Sequence, residues 1–267
     1  MTALAIVGIG VYAPGLTDWR QAQAVLRGTA PHCPQPLGTL SATLLPPTER
    51  RRANDMAHLA IHVAAQAVTE LPDEAAAHLP AVFSSADGDG CVLARMLDAL
   101  AQTNVALSPT LFHNSVFNAP AGYWSIGRRC EGAATTVCAG AASFAAGLIE
   151  TYTQVCKFDT HVLYVTFDSP FPASLRAFAL DHQPFACALL LGPAAAAAPP
   201  TWGVIDGWTM PADRGVAATP HAALSDFFAG NAAAAALPLL AAVARREAVQ
   251  VRLPYLDDAA LELTYTP

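Results

Sequence analysis

Short runs of apolar residues alternate along the chain with segments whose apolar residues recur every three or four positions. A short apolar run bounded by turn residues is typical of a buried strand, and the longer spacing is typical of a helix with one apolar face. The pattern predicts strands at 3–7, 81–85, 133–137, 161–167 and 187–191, and less regular ones at 202–208, 249–253 and 261–265, the last two as a hairpin. It predicts helices at 16–26, 54–67, 92–102, 139–155 and 232–246.

Cap residues refine the ends of these elements. Thr17 or Asp18 is expected to cap the first helix, and Asn54 or Asp55 to open the second. The alternation of strands with helices, and strands apolar on both faces, predict a layered α/β sheet. No repeat or compositional boundary divides the chain, so we expect a single domain over 1–267, with the alanines at 194–198 as a surface linker.

Composition excludes several classes of partner. Apolar residues make up 54% of the chain and charged residues 13%, so a folded core is expected. The net charge of −7 and a single lysine, Lys157, disfavour nucleic acid as a partner. No charge-free apolar run reaches the roughly 18 residues of a membrane span, and no basic segment precedes an apolar one at the start as in a signal peptide.

Neither a metal nor a cofactor is predicted. The six cysteines lie far apart and form no C-x-x-C pair, so reduced thiols in a cytoplasmic protein are expected. His58 and His62 have metal-ligand spacing, but Leu59 stands where a zinc protease has its glutamate. Residues 87–90, Asp-Gly-Asp-Gly, lack the later ligands of a calcium loop and predict a turn.

The opening residues match the dinucleotide pattern G-x-G-x-x-A from Gly8 to Ala13. A phosphate-binding turn must open directly into a helix whose amides face the phosphates. Because Pro14 and Gly15 interrupt such a helix, no nucleotide site is predicted. The cluster Arg50–Arg52 is interpreted either as a solvated segment or as a docking point for an acidic partner or a phosphate arm.

The stretch from 107 to 148 carries the most chemistry. The strand at 133–137 meets a helix through the small residues Cys138, Ala139, Gly140 and Ala141. An elbow of this kind exposes one side chain at a helix N-terminus, where backbone N–H groups stabilise a thiolate or an oxyanion. Cys138 is therefore either a candidate nucleophile or a buried structural cysteine.

Several motifs, taken in order, resemble the β-ketoacyl synthases of the thiolase fold. V-G-I-G-V-Y-A-P-G resembles their first strand and turn, and S-P-T-L-F-H-N-S-V-F-N-A-P-A-G their dimer-interface strand and following helix. Residues 133–147 resemble their nucleophile elbow, and 178–191 the strand that closes the first half. The likeness spans 3–192 and is nearest to short ketosynthase-like proteins of aryl polyene pathways, which act as chain-length factors.

Two departures from that family bear on the mechanism. The family elbow has a glycine eight residues after the nucleophile, and counting back from Gly147 puts Ala139 at the nucleophile position and Cys138 before it. An alanine cannot carry an acyl thioester. The part after 192 is shortened and shows neither the catalytic histidines nor the Gly-rich loop of the family's second half. The resemblance therefore implies a chain that does not perform Claisen condensation alone.

What the resemblance implies is a chain-length factor paired with an active ketosynthase. Residues 108–127 would supply an edge strand and a helix at the interface. The implied interface residues are Phe112, Asn114, Ser115, Val116 and Asn118. The implied gate residues at the far end of the partner's acyl tunnel are Phe117, Tyr123 and Trp124. Acyl carrier protein would dock mostly through the partner, with Arg50–Arg52 and Arg128–Arg129 contributing.

Two alternatives remain at this point. One is an acyltransferase or thioesterase acting on acyl-carrier-protein thioesters, which would use Cys138 with His113 or His161 as the base. The other is a scaffold that only keeps a ketosynthase soluble. Rapid alkylation of Cys138 would favour the enzyme, and gate substitutions that change yield but not product length would favour the scaffold.

Overall fold

The computed structural model describes residues 2–102, 106–178, 181–196, 201–212 and 222–267. Within these residues the chain forms one sheet of eight strands. In chain order they are β1 (Leu4–Tyr12), β2 (Ala81–Ser84), β3 (Ala134–Val137), β4 (Val162–Asp168), β5 (Phe185–Pro193), β6 (Val204–Thr209), β7 (Val249–Pro254) and β8 (Ala260–Thr266). All eight predicted strands are present. The predicted linker at 194–198 falls partly outside the described residues.

The sheet is mixed, in the order β3-β2-β4-β5-β1-β6-β8-β7. β3, β2 and β4 run parallel, with Ser84 opposite both Val137 and Thr166. The remaining neighbours pair antiparallel, and β7 and β8 form the predicted hairpin. The carboxyl ends of β2, β3 and β4 therefore lie side by side.

Ten α-helices and three short 3₁₀ turns occur among the described residues. The helices are α1 (Trp19–Leu26), α2 (Pro47–Arg52), α3 (Asp55–Ala67), α4 (Asp73–Ala77), α5 (Gly90–Leu100), α6 (Pro109–Asn114), α7 (Ala119–Arg128), α8 (Ser143–Phe158), α9 (Ala222–Phe227) and α10 (Leu237–Arg245). The 3₁₀ turns are Gly140–Ala142, Ala173–Phe178 and Ala233–Ala236. Asp18 and Asn54 cap α1 and α3 as expected, each accepting a hydrogen bond from a first-turn amide.

Helices cover both faces of the sheet, as the apolar strands predicted. α1, α8 and α10 pack on one face, and α3 and α7 on the other. Side chains of β5 alternate between the two cores: Leu189 and Leu191 face the first, and Leu190 faces the second. The result is a three-layer α/β arrangement.

The G-x-G motif of the first strand serves the packing of helix on sheet. A Cβ atom on Gly8 would lie 1.9 Å from the carbonyl oxygen of Ala67, and one on Gly10 2.1 Å from that of Val63. Both oxygens belong to α3, which therefore crosses β1 at backbone contact. This close approach explains the motif without a bound phosphate.

The expectation of an edge strand within 108–127 is wrong. Residues 109–114 form helix α6, in which Ser108 is the N-cap and Pro109 stands in the first turn, where its missing N–H is not needed. The edge strand on this side of the sheet is β3. The helix predicted at 232–246 also differs in detail, because Pro238 lies in the first turn of α10 and a 3₁₀ turn precedes it.

Candidate functional site

The elbow between β3 and α8 lies where the carboxyl ends of the parallel strands meet. β3 ends at Val137, and a 3₁₀ turn at Gly140–Ala142 leads into α8. Cys138 is exposed, and its Sγ donates a hydrogen bond to the carbonyl oxygen of Ala86, 3.0 Å away. The thiol is thus tied to the segment that follows β2.

Ala139 lines an open cavity of about 400 Å³. The opposite wall of this cavity is the β7–β8 hairpin, including Leu253, Tyr255 and Leu256. The N–H of Ala139 donates to Ser143 Oγ at 3.0 Å, and that hydroxyl donates to the carbonyl oxygen of Gly140 at 2.7 Å. An oxyanion hole needs N–H groups aimed at a developing charge, and this one is already used within the elbow.

Gly147 fixes how α8 lies on the sheet. A Cβ atom there would approach the ring of Tyr164 to 2.5 Å. The Tyr164 hydroxyl is buried and donates to the carbonyl oxygen of Phe144 at 2.7 Å, and burial raises the pKa of this phenol well above its usual value. The helix that follows the elbow therefore needs glycine eight residues after Ala139.

A buried carboxyl group lies beneath the elbow. Asp168, at the end of β4, accepts hydrogen bonds at Oδ1 from Ser85 Oγ (2.7 Å) and from the N–H of Ala86 (2.8 Å). Burial raises its pKa to about 6, although those two hydrogen bonds act in the opposite direction. Asn231 donates to the carbonyl oxygen of Asp168 at 3.1 Å and also contacts the ring of His182.

The members of this cluster come from four separate segments of the chain, so no local pattern predicts the whole of it. One signal was present: the apolar run of β4 ends directly in an aspartate at the carboxyl edge of the sheet. Polar residues that follow buried parallel strands commonly line functional sites. The cluster gives Cys138 no base, since Asp168 contacts it only through Ala86.

Among the described residues, no hydrogen bond joins Cys138 to either histidine proposed as its base. His161 precedes β4 at the amino edge of the sheet, about 20 Å along the strand direction from the elbow. His113, on α6, packs edge-on against Tyr123 with ring centroids 5.5 Å apart. Among the described residues, the hydrogen bond to Ala86 is the one recorded for the Cys138 thiol.

The predicted interface residues divide into two groups. Phe112, Ser115, Val116 and Asn118 are exposed. Asn114 is buried and is used within the chain: its Nδ2 donates to the carbonyl oxygen of Arg52, and its Oδ1 accepts from the Tyr123 hydroxyl. The structure thus directs Asn114 inward and its neighbours outward.

Several large apolar side chains of α5, α6 and the segment after α6 are exposed. α5 packs against α6. The exposed side chains of this surface, which we call the α5–α6 face, are Leu93, Leu97, Leu100, Phe112, Val116 and Phe117. Apolar residues clustered in this way mark surfaces that another molecule covers.

The three gate candidates have different surroundings. Phe117 is 42% exposed, and its ring lies against Gly88 in the segment after β2. Tyr123 and Trp124 are buried inside the chain, where Trp124 packs between α3 and the sheet and Arg128 stacks over its ring. In the isolated chain only Phe117 of the three is available to another molecule.

The other polar motifs have local structural roles. His58 contacts the carbonyl oxygen of Arg50, and His62 contacts the Gln66 side chain, with burial lowering the pKa of His62. Asp89 caps α5 by accepting from the N–H of Val92. In the described part of the chain, no three His, Cys, Asp or Glu side chains are grouped so as to hold a metal ion.

Comparison with known proteins identifies similar sequences and folds. The family model described as β-ketoacyl synthase, N-terminal domain, matches residues 17–224. No curated protein matches the chain. No helix among the described residues has the length and apolar character needed to cross a membrane.

Solved structures of similar fold cover nearly the whole chain. A ketosynthase (ApeO) in complex with its chain length factor (ApeC) from Xenorhabdus doucetiae matches with 24% identity and a TM-score of 0.73, covering 99% of both chains. The ishigamide ketosynthase/chain length factor matches with 15% identity and a TM-score of 0.76, and the match covers 99% of both chains. AntDE:AntF, a type II polyketide ketosynthase with its acyl-carrier protein, matches with 9% identity and a TM-score of 0.80, and the match covers 100% of this chain and 99% of the other. The fold is therefore the thiolase-like ketosynthase fold.

Proposed function

The chain belongs to the β-ketoacyl synthase family, and from that premise we propose that it is a non-catalytic chain-length factor. In this proposal it pairs with an active β-ketoacyl-carrier-protein synthase in the cytoplasm. It helps to shape the acyl tunnel of that enzyme during aryl polyene biosynthesis. The chain itself forms no bond to the substrate.

The elbow carries this proposal. Ala139 lines the open cavity where a nucleophile would stand, and its N–H is used by Ser143. Gly147 and its contact with Tyr164 support the alignment that assigns this position to Ala139. A methyl group cannot attack a thioester, and the N–H of Ala139, which bonds Ser143, is not free to stabilise a tetrahedral intermediate.

The α5–α6 face and strand β3 support a partner at this end of the sheet. β3 is an edge strand of sequence Ala-Thr-Thr-Val, without a charge or a proline to oppose pairing. On the α5–α6 face, Phe112 and Val116 are 60% and 43% exposed. The solved complexes that pair a ketosynthase with a chain length factor share the fold of this chain.

Phe117 is our candidate for the gate. It is the exposed member of the three aromatics, and it lies on the α5–α6 face. A bulky ring at the end of a closely packed tunnel would stop growth, because no space remains for another two-carbon unit. Tyr123 and Trp124 would support this wall from inside the chain.

Acyl carrier protein would dock mainly on the partner. Of the five arginines considered for this contact, Arg50 donates to carbonyl oxygens of residues 43 and 45, and Arg52 and Arg128 pair with Glu49 and Asp73. Arg51 and Arg129 are exposed and could contribute to binding the acidic carrier.

Reconstitution with the active ketosynthase tests the proposal. We expect the two proteins to co-elute, and we expect Phe117→Ala to lengthen the product by one or more two-carbon units. Phe158→Ala, at the far end of α8, is a matched control because Phe158 is also exposed. Unchanged lengths with Phe117→Ala would remove the gate, and changed yields alone would favour the scaffold. A substrate thioester on this chain, detected by intact mass, would overturn the non-catalytic role.

The exposed Cys138 thiol is the observation that favours an acyltransferase or thioesterase. Iodoacetamide labelling of the isolated protein separates the two functions. An enzyme predicts fast labelling at Cys138 and loss of acyl transfer in Cys138→Ser. A chain-length factor predicts labelling no faster than that of the exposed thiols Cys33, Cys91 and Cys156, and no acyl transfer to lose.

A further inference from the structure

The segment after β2 is held by hydrogen bonds to a buried carboxyl group. We call residues 85–89 the β2–α5 loop. Asp168 Oδ1 accepts from both Ser85 Oγ and the N–H of Ala86, and Ser85 Oγ accepts in turn from the N–H of Gly88 at 3.1 Å. Two consecutive hydrogen bonds thus connect the end of β4 to Gly88 through Ser85, and a third holds Ala86.

Gly88 is the part of this loop that meets Phe117. Its φ of +68° lies in the left-handed region that favours glycine. A Cβ atom there would lie 3.3 Å from Cε1 of Phe117, so the ring packs directly on the loop backbone. Ser85, Gly88 and Phe117 all line one small cavity of about 20 Å³. The side of the ring that faces the loop therefore has little free space.

The carboxyl group of Asp168 is expected to lower the stability of the folded chain. It is only 3% exposed, and its Oδ2 atom has no hydrogen-bond partner among the described residues. A buried carboxyl group with an unsatisfied oxygen lowers stability, whereas an asparagine could keep the Oδ1 hydrogen bonds without the charge. What the Oδ1 acceptor supplies is a defined conformation of the loop.

We infer that Asp168 is a positioning residue that sets the location of the Phe117 ring through Ser85 and Gly88. The inference concerns the geometry of this chain alone, and its consequence for product length rests on the proposed function. Loss of the Ser85 hydroxyl would free the N–H of Gly88 and let the loop and the ring shift together. Asparagine at 168 would preserve the acceptor and therefore the ring position.

The ring position can be measured by 19F NMR with 4-fluorophenylalanine incorporated at position 117. We expect Ser85→Ala to move or broaden this resonance. Ser84→Ala is the matched control: Ser84 is equally buried on the adjacent position, but its hydroxyl bonds Tyr164 on the other side of the strand. An unmoved resonance in Ser85→Ala, or an equal change in Ser84→Ala, would overturn the inference.

Two further pairs keep the test decisive if one variant is poorly folded. Asp168→Ala should change the resonance and Asp168→Asn should restore it, and failure of asparagine to do so contradicts the role assigned to Oδ1. Gly88→Ala should displace the ring. Gly28→Ala has the same backbone strain, with φ at +74°, but nothing lies within 4 Å of its new methyl group, so no change is expected there.

Product analysis of the reconstituted pair separates this inference from the function it refers to. If the resonance moves in Ser85→Ala and product length changes with it, both are supported. If the resonance moves and product length does not, the gate is wrong and the positioning role stands. If the resonance does not move, the positioning role is wrong whatever the products are.

Discussion

The two edges of the sheet differ in their protection against pairing. β7 carries Gln250 and Arg252 and ends at Pro254, whereas β3 has two threonines between two small apolar residues. Charges and proline are the means by which natural edge strands avoid adding another strand. The contrast indicates that the β7 edge is protected from pairing and that the β3 edge is free to pair.

The helices of the chain differ in how far their apolar side chains are covered. On the β7 side, the leucines of α10 are buried in this chain's own core. By contrast, α5 and α6 expose leucine and phenylalanine side chains on the α5–α6 face. An exposed apolar surface of this kind marks a region that another molecule covers.

The largest expected effect comes from placing a charge on the α5–α6 face. Phe112→Asp would bury an unpaired carboxylate in the proposed interface, and we expect partner binding to weaken by about 4 kcal/mol, or roughly a thousandfold in Kd. Phe158→Asp provides the control, because Phe158 is 55% exposed against 60% for Phe112 but lies at the far end of α8. Equal Kd values for the two variants, measured by calorimetry with the ketosynthase, would contradict the assignment of this face.

The second prediction concerns the buried charge on the β3 side. Burial raises the pKa of Asp168 to about 6 from an ordinary 3.8. Two nearby charged groups also act on this pKa: His182 lowers it and Asp87 raises it. The native carboxylate is therefore disfavoured at pH 7, and the folded state gains stability as the pH falls from about 7 towards 4. We expect Asp168→Asn to stabilise the chain by about 3 kcal/mol at pH 7 and by almost nothing near pH 4.

Urea denaturation of Asp168→Asn and of the unaltered chain across that pH range measures their free energies of unfolding. A difference in these free energies that stays constant with pH would show that Asp168 does not titrate between about pH 4 and 7. The folded ketosynthase-free chain is sufficient for the measurement, so the result is independent of any partner.

Local patterns predicted the elements well because their signals lie within a few residues. Apolar spacing located every strand of the described residues, and residue type narrowed each cap to two neighbours, Thr17 or Asp18 and Asn54 or Asp55. The segment 109–114 was misassigned as strand because the family resemblance outweighed a local signal: Ser108 followed by Pro109 is a typical helix start.

The candidate site was harder to predict because it depends on contacts distant in sequence. Ser85 and Asp168 are separated by 83 residues, and Asn231 follows Asp168 by 63. Spacing along the chain carries no information about such pairs. The inward direction of Asn114 was equally hidden, since it follows from how α6 packs on Arg52 and Tyr123.

The smallest expected effect is on the β7 side. Glu262 of β8 accepts hydrogen bonds from two side chains of β7. Its Oε1 contacts two guanidinium nitrogens of Arg252, of which Nε lies 2.6 Å away. Its Oε2 accepts from the Gln250 amide at 3.1 Å. Because this cross-strand pair is partly exposed, we expect Glu262→Gln to cost about 1 kcal/mol of folding free energy in urea denaturation. The Kd of the Glu262→Gln variant for the ketosynthase should equal that of the unaltered chain. Weaker binding in Glu262→Gln would mean that the partner also contacts the β7 edge, and the contrast between the two edges would no longer identify the interface.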